Sequence, residues 1–391
     1  MIVGVPKESF PGERRVALVP MVIPNLKKLG LEVILESGAG LESGYRDSDY
    51  QEKGASLVPS RADVFAQADI LTQVLCYGSN DRTGKADVPL YRRDQNLVGF
   101  LRPLGSKEVV SEIASTGITS FAVELMPRIT RAQSMDALSS MATICGYKAV
   151  LIAAETVPRL FPMMTTAAGT ITPARVLVIG AGVAGLQAIA TARRLGAVVT
   201  AYDLRPAVKE QIQSLGGRFL ELPLETKDAQ DAGGYAKAQD ESFYQKQREL
   251  LGNAVAESDA VITTAVVPGK KAPILVTKEM VQRMAPGSVV VDLAAERGGN
   301  CELTKSGEVI VEHGVTIVGT INMASTVPYH ASQMYARNLT SFLTLLVKEG
   351  KVSVRMDDEI IRETLLTRNG EIVQERVRQF FGMPALVEVS K

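Results

Sequence analysis

The chain has 391 residues, of which 46% are apolar and 22% are charged, and its 43 basic residues balance its 43 acidic residues. This length and composition predict about two or three globular domains, and the zero net charge argues against a nucleic-acid-binding protein. Cys76, Cys145 and Cys301 lie far apart without a CxxC pair, so the sequence predicts neither a disulfide framework nor a metal site.

Short β-rich runs alternate with amphipathic stretches in the first half of the chain, which is typical of a parallel sheet covered by helices. The predicted strands are Ile2–Val5, Glu32–Glu36, Ile70–Val74, Leu97–Leu101 and Ile118–Glu124, with helices at Pro20–Lys28 and Ser106–Ser115. A second block predicts strands at Arg175–Ile179, Val198–Asp203, Arg218–Leu222, Ala260–Thr264, Ser288–Leu293 and Thr316–Gly319. The sequence therefore predicts an α/β fold with two Rossmann-like, doubly wound parallel-sheet domains.

Two long helical patterns look like connectors between these domains. One begins near Thr130 and runs through Met141 to about Thr156, and the other is Ser332–Val347, whose apolar residues recur at helical spacing. We expect the second helix to carry the chain back to the first domain, which makes that domain discontinuous. The predicted boundaries are 1–140, completed by about 328–391, for the N-terminal domain and 141–327 for a nucleotide-binding domain.

The longest uncharged apolar run, Val176–Ala192, has 17 residues, at the short limit for a membrane span. It contains three glycines and divides into a strand, a turn and the start of a helix. The amino terminus has no basic region followed by a long apolar core, so it does not resemble a signal peptide. These features predict a soluble, intracellular chain without direct membrane insertion.

A glycine-rich turn carries the strongest local signal. A β-rich run leads into Gly180, Gly182 and Gly185, a helical run follows, and a second strand ends at Asp203. In such a unit the glycines permit a tight turn, close approach of a pyrophosphate and close packing of the helix on the strand, while the acid binds ribose hydroxyls. A carboxylate there repels a 2′-phosphate and favours NAD(H), although the neighbouring Arg205 could hold one.

A polar cluster marks the start of the first connector helix. Gln133, Asp136 and Ser139 are three residues apart, so on a helix they span about 120° of one face, and Arg128 precedes them. The cluster could face a ligand. Alternatively, Thr130 and Gln133 form a capping box and Asp136 suits the positive end of the helix.

The polar segment Glu225–Gln247 is long for a loop inside a compact domain and contains Gly233, Gly234 and Tyr235. It could be a lid over a ligand or a solvated loop.

The chain has only two histidines, His313 and His330, and we expect both in ordinary surface turns or loops. A dehydrogenase acting on an alcohol or amine must also move a proton, usually through His, Lys or Tyr. Hydride transfer between two nicotinamides releases no proton at the reacting carbon and needs only positioning. The lack of a well-placed base therefore favours a nicotinamide partner.

The motifs GVPKE, GERRVALVP, ELMPRITRAQSMDALSSMA, PARVLVIGAGVAGLQAIATARRLGA and MAPGSVVVDLAAERGGNC together resemble one family. Over nearly its whole length the chain is similar to the NAD(H)-binding component, domain I of the alpha subunit, of proton-translocating NAD(P) transhydrogenases. The resemblance implies roles at the nicotinamide end for Arg128, Gln133, Asp136 and Ser139. It implies binding of the rest of the nucleotide by Gly180, Gly182, Val183, Gly185, Asp203, Thr264 and Ala265, with Tyr235 in a mobile loop that closes over it.

The resemblance also implies a reaction and partners. Hydride would pass directly between NADH on this chain and NADP⁺ on a separate NADP(H)-binding domain III, and a membrane domain would couple the reaction to proton translocation. Because the sequence shows neither a membrane span nor a second dinucleotide fingerprint, we expect those domains on other polypeptides. The resemblance further implies a homodimer, cytoplasmic and attached peripherally to the inner membrane through its partner subunits.

Two alternatives remain from the sequence. Alanine dehydrogenases share this fold and fingerprint, and Arg15 matches their substrate arginine, but Gln73 and Arg102 stand where their lysine and histidine would fall. Many transhydrogenases also carry a lysine where Gln73 lies. A non-catalytic NAD-binding sensor would not need the polar cluster of the RAQSMD segment.

Overall fold

The computed structural model describes residues 1–221, 241–267 and 269–386. Its strands are β1 Ile2–Val5, β2 Glu32–Glu36, β3 Ser56–Val58, β4 Ile70–Leu75, β5 Asn96–Phe100, β6 Thr119–Ala122, β7 Met164–Thr166, β8 Gly169–Ile171, β9 Arg175–Ile179, β10 Val198–Tyr202, β11 Arg218–Phe219, β12 Ala260–Thr263, β13 Val289–Asp292, β14 Val309–Glu312, β15 Val315–Gly319, β16 Val347–Lys348, β17 Lys351–Val352, β18 Leu365–Arg368 and β19 Glu371–Ile372. Its α-helices are α1 Ile23–Lys28, α2 Asp47–Glu52, α3 Arg61–Gln67, α4 Lys107–Ser115, α5 Ala137–Thr156, α6 Val183–Arg194, α7 Lys209–Ser214, α8 Glu241–Ala256, α9 Lys278–Gln282, α10 Pro328–Leu346, α11 Glu359–Thr364 and α12 Glu375–Phe380. Short 3₁₀ turns lie at Pro20–Val22, Leu41–Ser43, Gly84–Leu90, Val123–Leu125, Thr130–Met135, Pro206–Val208, Ala295–Arg297 and Met323–Thr326.

The chain divides into two compact units. Unit 1 comprises Met1–Met141 and Ser325–Lys391, and unit 2 comprises Ala142–Ala324. Unit 1 is therefore built from two separate stretches of sequence, and the predicted discontinuity of the first domain is confirmed.

Unit 1 contains an eight-stranded sheet in the order β19-β18-β6-β5-β4-β1-β2-β3. The six strands from β3 to β6 run parallel, and the chain reverses its direction of winding between β1 and β4. The last two strands, β18 and β19, extend the sheet antiparallel beyond β6. All five residues of β5 are buried, as expected for a strand with helices on both faces.

Unit 2 contains a seven-stranded sheet in the order β11-β10-β9-β12-β13-β15-β14. It is parallel except for β14, which pairs antiparallel with β15 across a turn where His313 adopts a φ of 54°. The winding direction reverses between β9 and β12. The predicted fold class, α/β with two Rossmann-like parallel sheets, is confirmed.

Helices cover both faces of the unit 2 sheet. Successive strand residues point to opposite sides, and the residues on both sides are apolar. Val176 and Val178 of β9 pack with the α5 and α6 side, beside Ala188. Leu177 and Ile179 of the same strand pack with the α8 side. This arrangement leaves the carboxyl ends of the strands as the edge at which a ligand can reach the sheet.

The helix α5 is the one helix in the described ranges that is long and apolar enough to span a membrane by length and composition. Core helices pass the same test, so this is weak support for a span. Gly146 of α5 packs directly on α6, because a Cβ there would lie 2.0 Å from the carbonyl oxygen of Ala184.

Two predicted helix starts are wrong. The α-helix predicted from Thr130 begins at Ala137, because the backbone at Asp136 leaves the helical region with a ψ of 87°. In the other connector, α10 begins at Pro328 rather than Ser332, since proline suits the first turn of a helix. His330 consequently lies on a helix and not in a loop.

Candidate functional site

The glycine turn follows β9 at the point where the sheet of unit 2 reverses its winding. Gly180 has a φ of +98°, a conformation open to glycine, and its N–H donates to the carbonyl of Tyr202 on β10. A Cβ on Gly180 would lie 2.6 Å from Oγ1 of Thr264. The turn therefore fits tightly between the ends of β10 and β12.

Gly185, in the first turn of α6, is the point of closest contact between this helix and the glycine turn. A Cβ there would lie 1.8 Å from the carbonyl oxygen of Gly180, so a larger side chain would push the helix away from the strand. Gly185 thus sets how closely the amino terminus of α6 approaches the sheet, which is the role predicted for it.

Gly182 differs from the other two glycines because its Cβ position is open, with nothing within 4 Å among the described residues. It is the N-cap of α6, and no described side chain caps that helix. The first N–H groups of a helix have no partner within it and form a natural site for a phosphate. Val183, the first residue of the helix, is 37% exposed. The arrangement fits a pyrophosphate.

Thr264 and Ala265 follow β12, on the other side of the winding reversal. The hydroxyl of Thr264 donates to the carbonyl of Gly180 over 3.0 Å, which joins the two turns. The side chain of Asn300 holds both backbone polar groups of Ala265. Its Oδ1 accepts from the Ala265 N–H at 3.0 Å, and its Nδ2 donates to the Ala265 carbonyl at 2.8 Å. Ligand sites in such sheets lie at this reversal.

The loop that carries Asn300 is itself organised by Asp292, a fully buried residue at the end of β13. Its carboxylate accepts five hydrogen bonds of 2.7 to 3.0 Å, from Thr263, Ala294, Asn300, Cys301 and Thr304. Neither Asp292 nor Asn300 was predicted from the sequence as a site residue. The available signal was an acid at the end of a buried strand, followed by RGGNC.

Asp203 lies just after β10 and is 8% exposed. Its Oδ2 accepts from the N–H of Ala181, inside the glycine turn, at 2.7 Å. Arg205 binds the same carboxylate through its backbone N–H at 2.8 Å and through Nε and Nη2 at 3.0 Å each. The structure therefore brings Asp203 to the glycine turn. Arg205, which the sequence suggested as a possible ligand of a 2′-phosphate, forms an ion pair with Asp203.

In unit 1, Asp136 and Ser139 come together at the start of α5. Oδ1 of Asp136 accepts from the backbone N–H of Ser139 at 2.8 Å, and Oδ2 accepts from the Ser139 hydroxyl at 2.6 Å. Asp136 is thus the N-cap of α5, which explains the break in the predicted helix.

Gln133 lies on a separate 3₁₀ turn, Thr130–Met135, and is exposed; Arg128 precedes that turn and is also exposed. The predicted common helix face for Gln133, Asp136 and Ser139 is therefore wrong. The capping box is wrong as well, since Thr130 is the first residue inside the turn and Ile129 before it provides no side-chain cap.

The 3₁₀ turn is fixed to the rest of unit 1 at two points. Asn338 of α10 donates through Nδ2 to the Ser134 carbonyl at 2.9 Å. Arg131 binds both oxygens of Asp358 at 2.8 and 3.1 Å, and this hydrogen-bonded contact holds the pKa of the Asp358 carboxyl below its usual range. Exposed Gln133 therefore lies on a turn that is held by contacts at Arg131 and at Ser134.

Tyr235, predicted as part of a lid, lies outside the described residues, as does most of Glu225–Gln247.

Unit 1 has a buried acid at the reversal of its own sheet. Glu8, which follows β1, accepts backbone N–H groups of Val74 at 2.6 Å and Leu75 at 3.1 Å on β4. Burial raises the pKa of Glu8 to about 8; the Glu13 carboxylate adds to this, whereas the two N–H groups and Arg61 act against it. Glu8 is therefore protonated in the folded protein over most of the neutral range.

This pKa predicts a pH-dependent stability. Between pH 4.5 and about 8 folding takes up a proton at Glu8, so the contribution of Glu8 to stability is fully present below the unfolded pKa and is lost as pH rises through the folded pKa. The full effect, over the interval from pH 4.5 to about 8, is on the order of 5 kcal/mol. Urea unfolding at pH 5, 6.5 and 8 should show this fall, and Glu8→Gln should flatten it. An equal fall in Glu8→Gln would assign the pH dependence to other groups.

The sequence matches the family described as alanine dehydrogenase/PNT, through its N-terminal domain over residues 4–145 and its C-terminal domain over residues 149–375. A protein of Rhodospirillum rubrum, named as the first of the separate parts of an NAD(P) transhydrogenase alpha subunit, is 48% identical over 376 residues, which cover 95% of this chain and 98% of that protein. The chain belongs to the NAD(P) transhydrogenase alpha-subunit family.

Two further relatives bracket this assignment. A crystal structure of transhydrogenase from Sinorhizobium meliloti is 44% identical, covers 96% of this chain and 100% of that chain, and superposes with a TM-score of 0.83. The alanine dehydrogenase of Bacillus subtilis is 28% identical over 394 residues, covering 98% of this chain and 95% of that protein. The predicted relationship to both families is confirmed, and members of the transhydrogenase alpha-subunit family bind nicotinamide nucleotides.

Proposed function

We propose that this chain is the NAD(H)-binding component of a proton-translocating NAD(P) transhydrogenase and passes hydride between NADH and NADP⁺ bound on a partner domain III. The observation that carries the proposal is the amino terminus of α6, which no described side chain caps, beside open Gly182 and with the carboxylate of Asp203 hydrogen-bonded to the adjacent Ala181. This is the arrangement that a dinucleotide requires.

In this reaction the residues of this chain have only to bind the nucleotide and orient its nicotinamide. The N–H groups at the start of α6, including that of Val183, would hold the pyrophosphate, and Asp203 would accept from the adenosine ribose. The joined turns of Gly180 and Thr264–Ala265 offer a rigid edge for the nicotinamide ribose. NADH supplies the hydride, and no proton leaves the reacting carbon, so the chain needs no general base.

The roles that we propose at the nicotinamide end rest on the resemblance to the transhydrogenase family and on side-chain chemistry. Gln133 and Arg128 present an exposed amide and an exposed guanidinium, and Asp136 with Ser139 fixes the backbone that follows. We propose that these four residues orient the nicotinamide and that Tyr235 belongs to a segment that closes over it.

Partners follow from the family. The name of the relative from Rhodospirillum rubrum describes it as one portion of a divided subunit, which implies further polypeptides in that enzyme. We propose that NADP(H) binds to a domain III on another polypeptide, that a separate membrane domain moves protons, and that this chain is attached peripherally to the membrane through them.

We propose that a second copy of the chain packs against the β7–β8 hairpin in unit 2 and forms a homodimer. All six strand residues are exposed, Met163 beside them is 64% exposed, and residues 160–174 carry no charge. A two-stranded hairpin is marginally stable by itself, and an exposed apolar patch marks an interaction surface. Sedimentation of the chain as a monomer at micromolar concentration would contradict this homodimer.

The decisive experiment mixes the full chain with an NADP(H)-binding domain III and follows the reduction of an NADP⁺ analogue of shifted absorbance by NADH. Turnover in the mixture, but not with either protein alone, is the expected result. Oxidation of NADH by pyruvate and ammonia, with no turnover in the mixture, would establish an alanine dehydrogenase instead. NADH binding without either reaction would establish a sensor.

Gln133→Ala is expected to lower the turnover of that mixture at least tenfold while leaving the thermal unfolding temperature unchanged, because the side chain is exposed and its amide is available to a ligand. Ser134→Ala, on the same turn and also exposed, is the matched control and should keep wild-type turnover. Equal turnover in the two variants would remove Gln133 from the site.

Two contacts argue against amino-acid oxidation. Gln73, where alanine dehydrogenases carry lysine, is buried and donates to Asp87 at 3.3 Å, so it supplies no titratable group. Arg102, where they carry histidine, lies 3.5 Å from Asp81 on the surface.

A further inference from the structure

The carboxylate of Asp203 already accepts four hydrogen bonds in this structure, two at each oxygen. A carboxylate has about four acceptor sites, and here Oδ1 accepts from the N–H and Nε of Arg205 while Oδ2 accepts from the N–H of Ala181 and from Nη2 of Arg205. Two of these four donors are backbone groups, fixed by the fold. The other two belong to one side chain, which can change rotamer.

The proposed function requires Asp203 to accept hydrogen bonds from the adenosine ribose. Since the backbone donors cannot leave, the ribose hydroxyls compete with the guanidinium of Arg205 for the same acceptor sites. The Arg205 side chain is 14% exposed and that of Asp203 is 7% exposed, so water is a poor substitute for either partner.

We propose that Arg205 is the residue that sets the discrimination between NAD(H) and NADP(H) in this chain, an inference that rests on the proposed function. In the free protein it occupies the acceptor sites of Asp203, and the ribose diol displaces it. The displaced guanidinium belongs to the residue two positions after Asp203, so it would remain close to the adenosine 2′ position. Arg205 thereby weakens the binding of NADH. It also stabilises bound NADPH, because its guanidinium can pair with the 2′-phosphate.

Removal of the side chain acts on the two nucleotides in opposite directions. In Arg205→Ala the ribose of NADH meets two empty acceptor sites on a buried carboxylate, so the Kd for NADH should fall several-fold. The 2′-phosphate of NADPH loses the guanidinium that offsets the charge of Asp203, so the Kd for NADPH should rise about tenfold. The ratio of the two Kd values should change by roughly thirtyfold or more.

Calorimetric titration of the full chain with NADH and with NADPH tests this. Arg205→Gln, which keeps a donor but removes the charge, should also lose NADPH binding and covers the case in which Arg205→Ala fails to fold. Arg194→Ala removes an exposed arginine from the last turn of α6, at the opposite end from Gly182, and should leave both Kd values unchanged.

A double variant separates competition from a general electrostatic effect. In an Asp203→Asn background, Arg205→Ala should no longer improve NADH binding, because the competed carboxylate is gone. An unchanged Kd ratio in Arg205→Ala, or equal weakening of both nucleotides, would overturn the inference while NADH binding by the wild-type chain keeps the proposed function. No NADH binding by the wild-type chain would overturn both.

Discussion

Gly185→Ala is expected to destabilise unit 2 by about 3 kcal/mol or more and to abolish nucleotide binding. Its new Cβ would lie 1.8 Å from the carbonyl oxygen of Gly180, and that oxygen is backbone, so the helix or the strand must shift. The shift would also move the N–H groups of α6 that are proposed to bind the pyrophosphate. Urea unfolding and NADH titration measure the two effects.

Gly182→Ala is the matched control, because it makes the same chemical change three residues earlier. Its φ of −73° suits alanine and its Cβ would meet no described atom within 4 Å, so the loss of stability should stay within about 1 kcal/mol. NADH affinity should still fall more than tenfold, because the methyl group occupies the approach of the pyrophosphate. Wild-type stability in Gly185→Ala would disprove the close contact, and wild-type binding in Gly182→Ala would disprove the pyrophosphate site.

Asp292→Ala is expected to cost at least about 3 kcal/mol of stability, since it strands five donors and each buried donor without an acceptor costs about 1–3 kcal/mol. It should also weaken NADH binding, because Asn300 loses its anchor and with it the two bonds that fix the Ala265 peptide. Thermal unfolding and NADH titration would report both effects.

Thr304→Val is the control for Asp292→Ala. It removes one of the five donors without leaving a polar group unpaired on its own side chain, and should cost about 1 kcal/mol with unchanged NADH binding. A similar loss in both variants would show that the carboxylate is not the organising group.

Local patterns made part of this structure predictable. The β9, α6 and β10 unit follows from a glycine spacing whose physical causes, a positive φ at Gly180 and a close contact at Gly185, involve residues within one turn of chain. Strands dominated by apolar residues, such as β5, are equally predictable from the sequence. The fold class follows from their alternation with helices.

Other features depend on contacts that no local pattern reports. Asp136 could lie inside a continuous helix or cap the start of a new one, because an aspartate side chain is compatible with both positions. In the structure it caps α5. Asn300 acts on Ala265 across 35 positions of sequence. The sequence placed Arg205 beside Asp203 but did not show that the two share one set of acceptor sites.

The discontinuity of unit 1 has a consequence for synthesis on the ribosome. All of unit 2 is translated before residue 325, whereas β6 remains the edge of the unit 1 sheet until β18 emerges to cover it. The hydroxyls of Ser120 and Thr367, which meet at 2.7 Å in the finished sheet, are separated by 247 positions. At about 5–20 residues per second the nascent chain keeps an open strand edge, with unpaired N–H and C=O groups, for some tens of seconds. Residues 325–391 therefore supply the strand that protects the sheet formed by residues 1–141 from pairing with another chain.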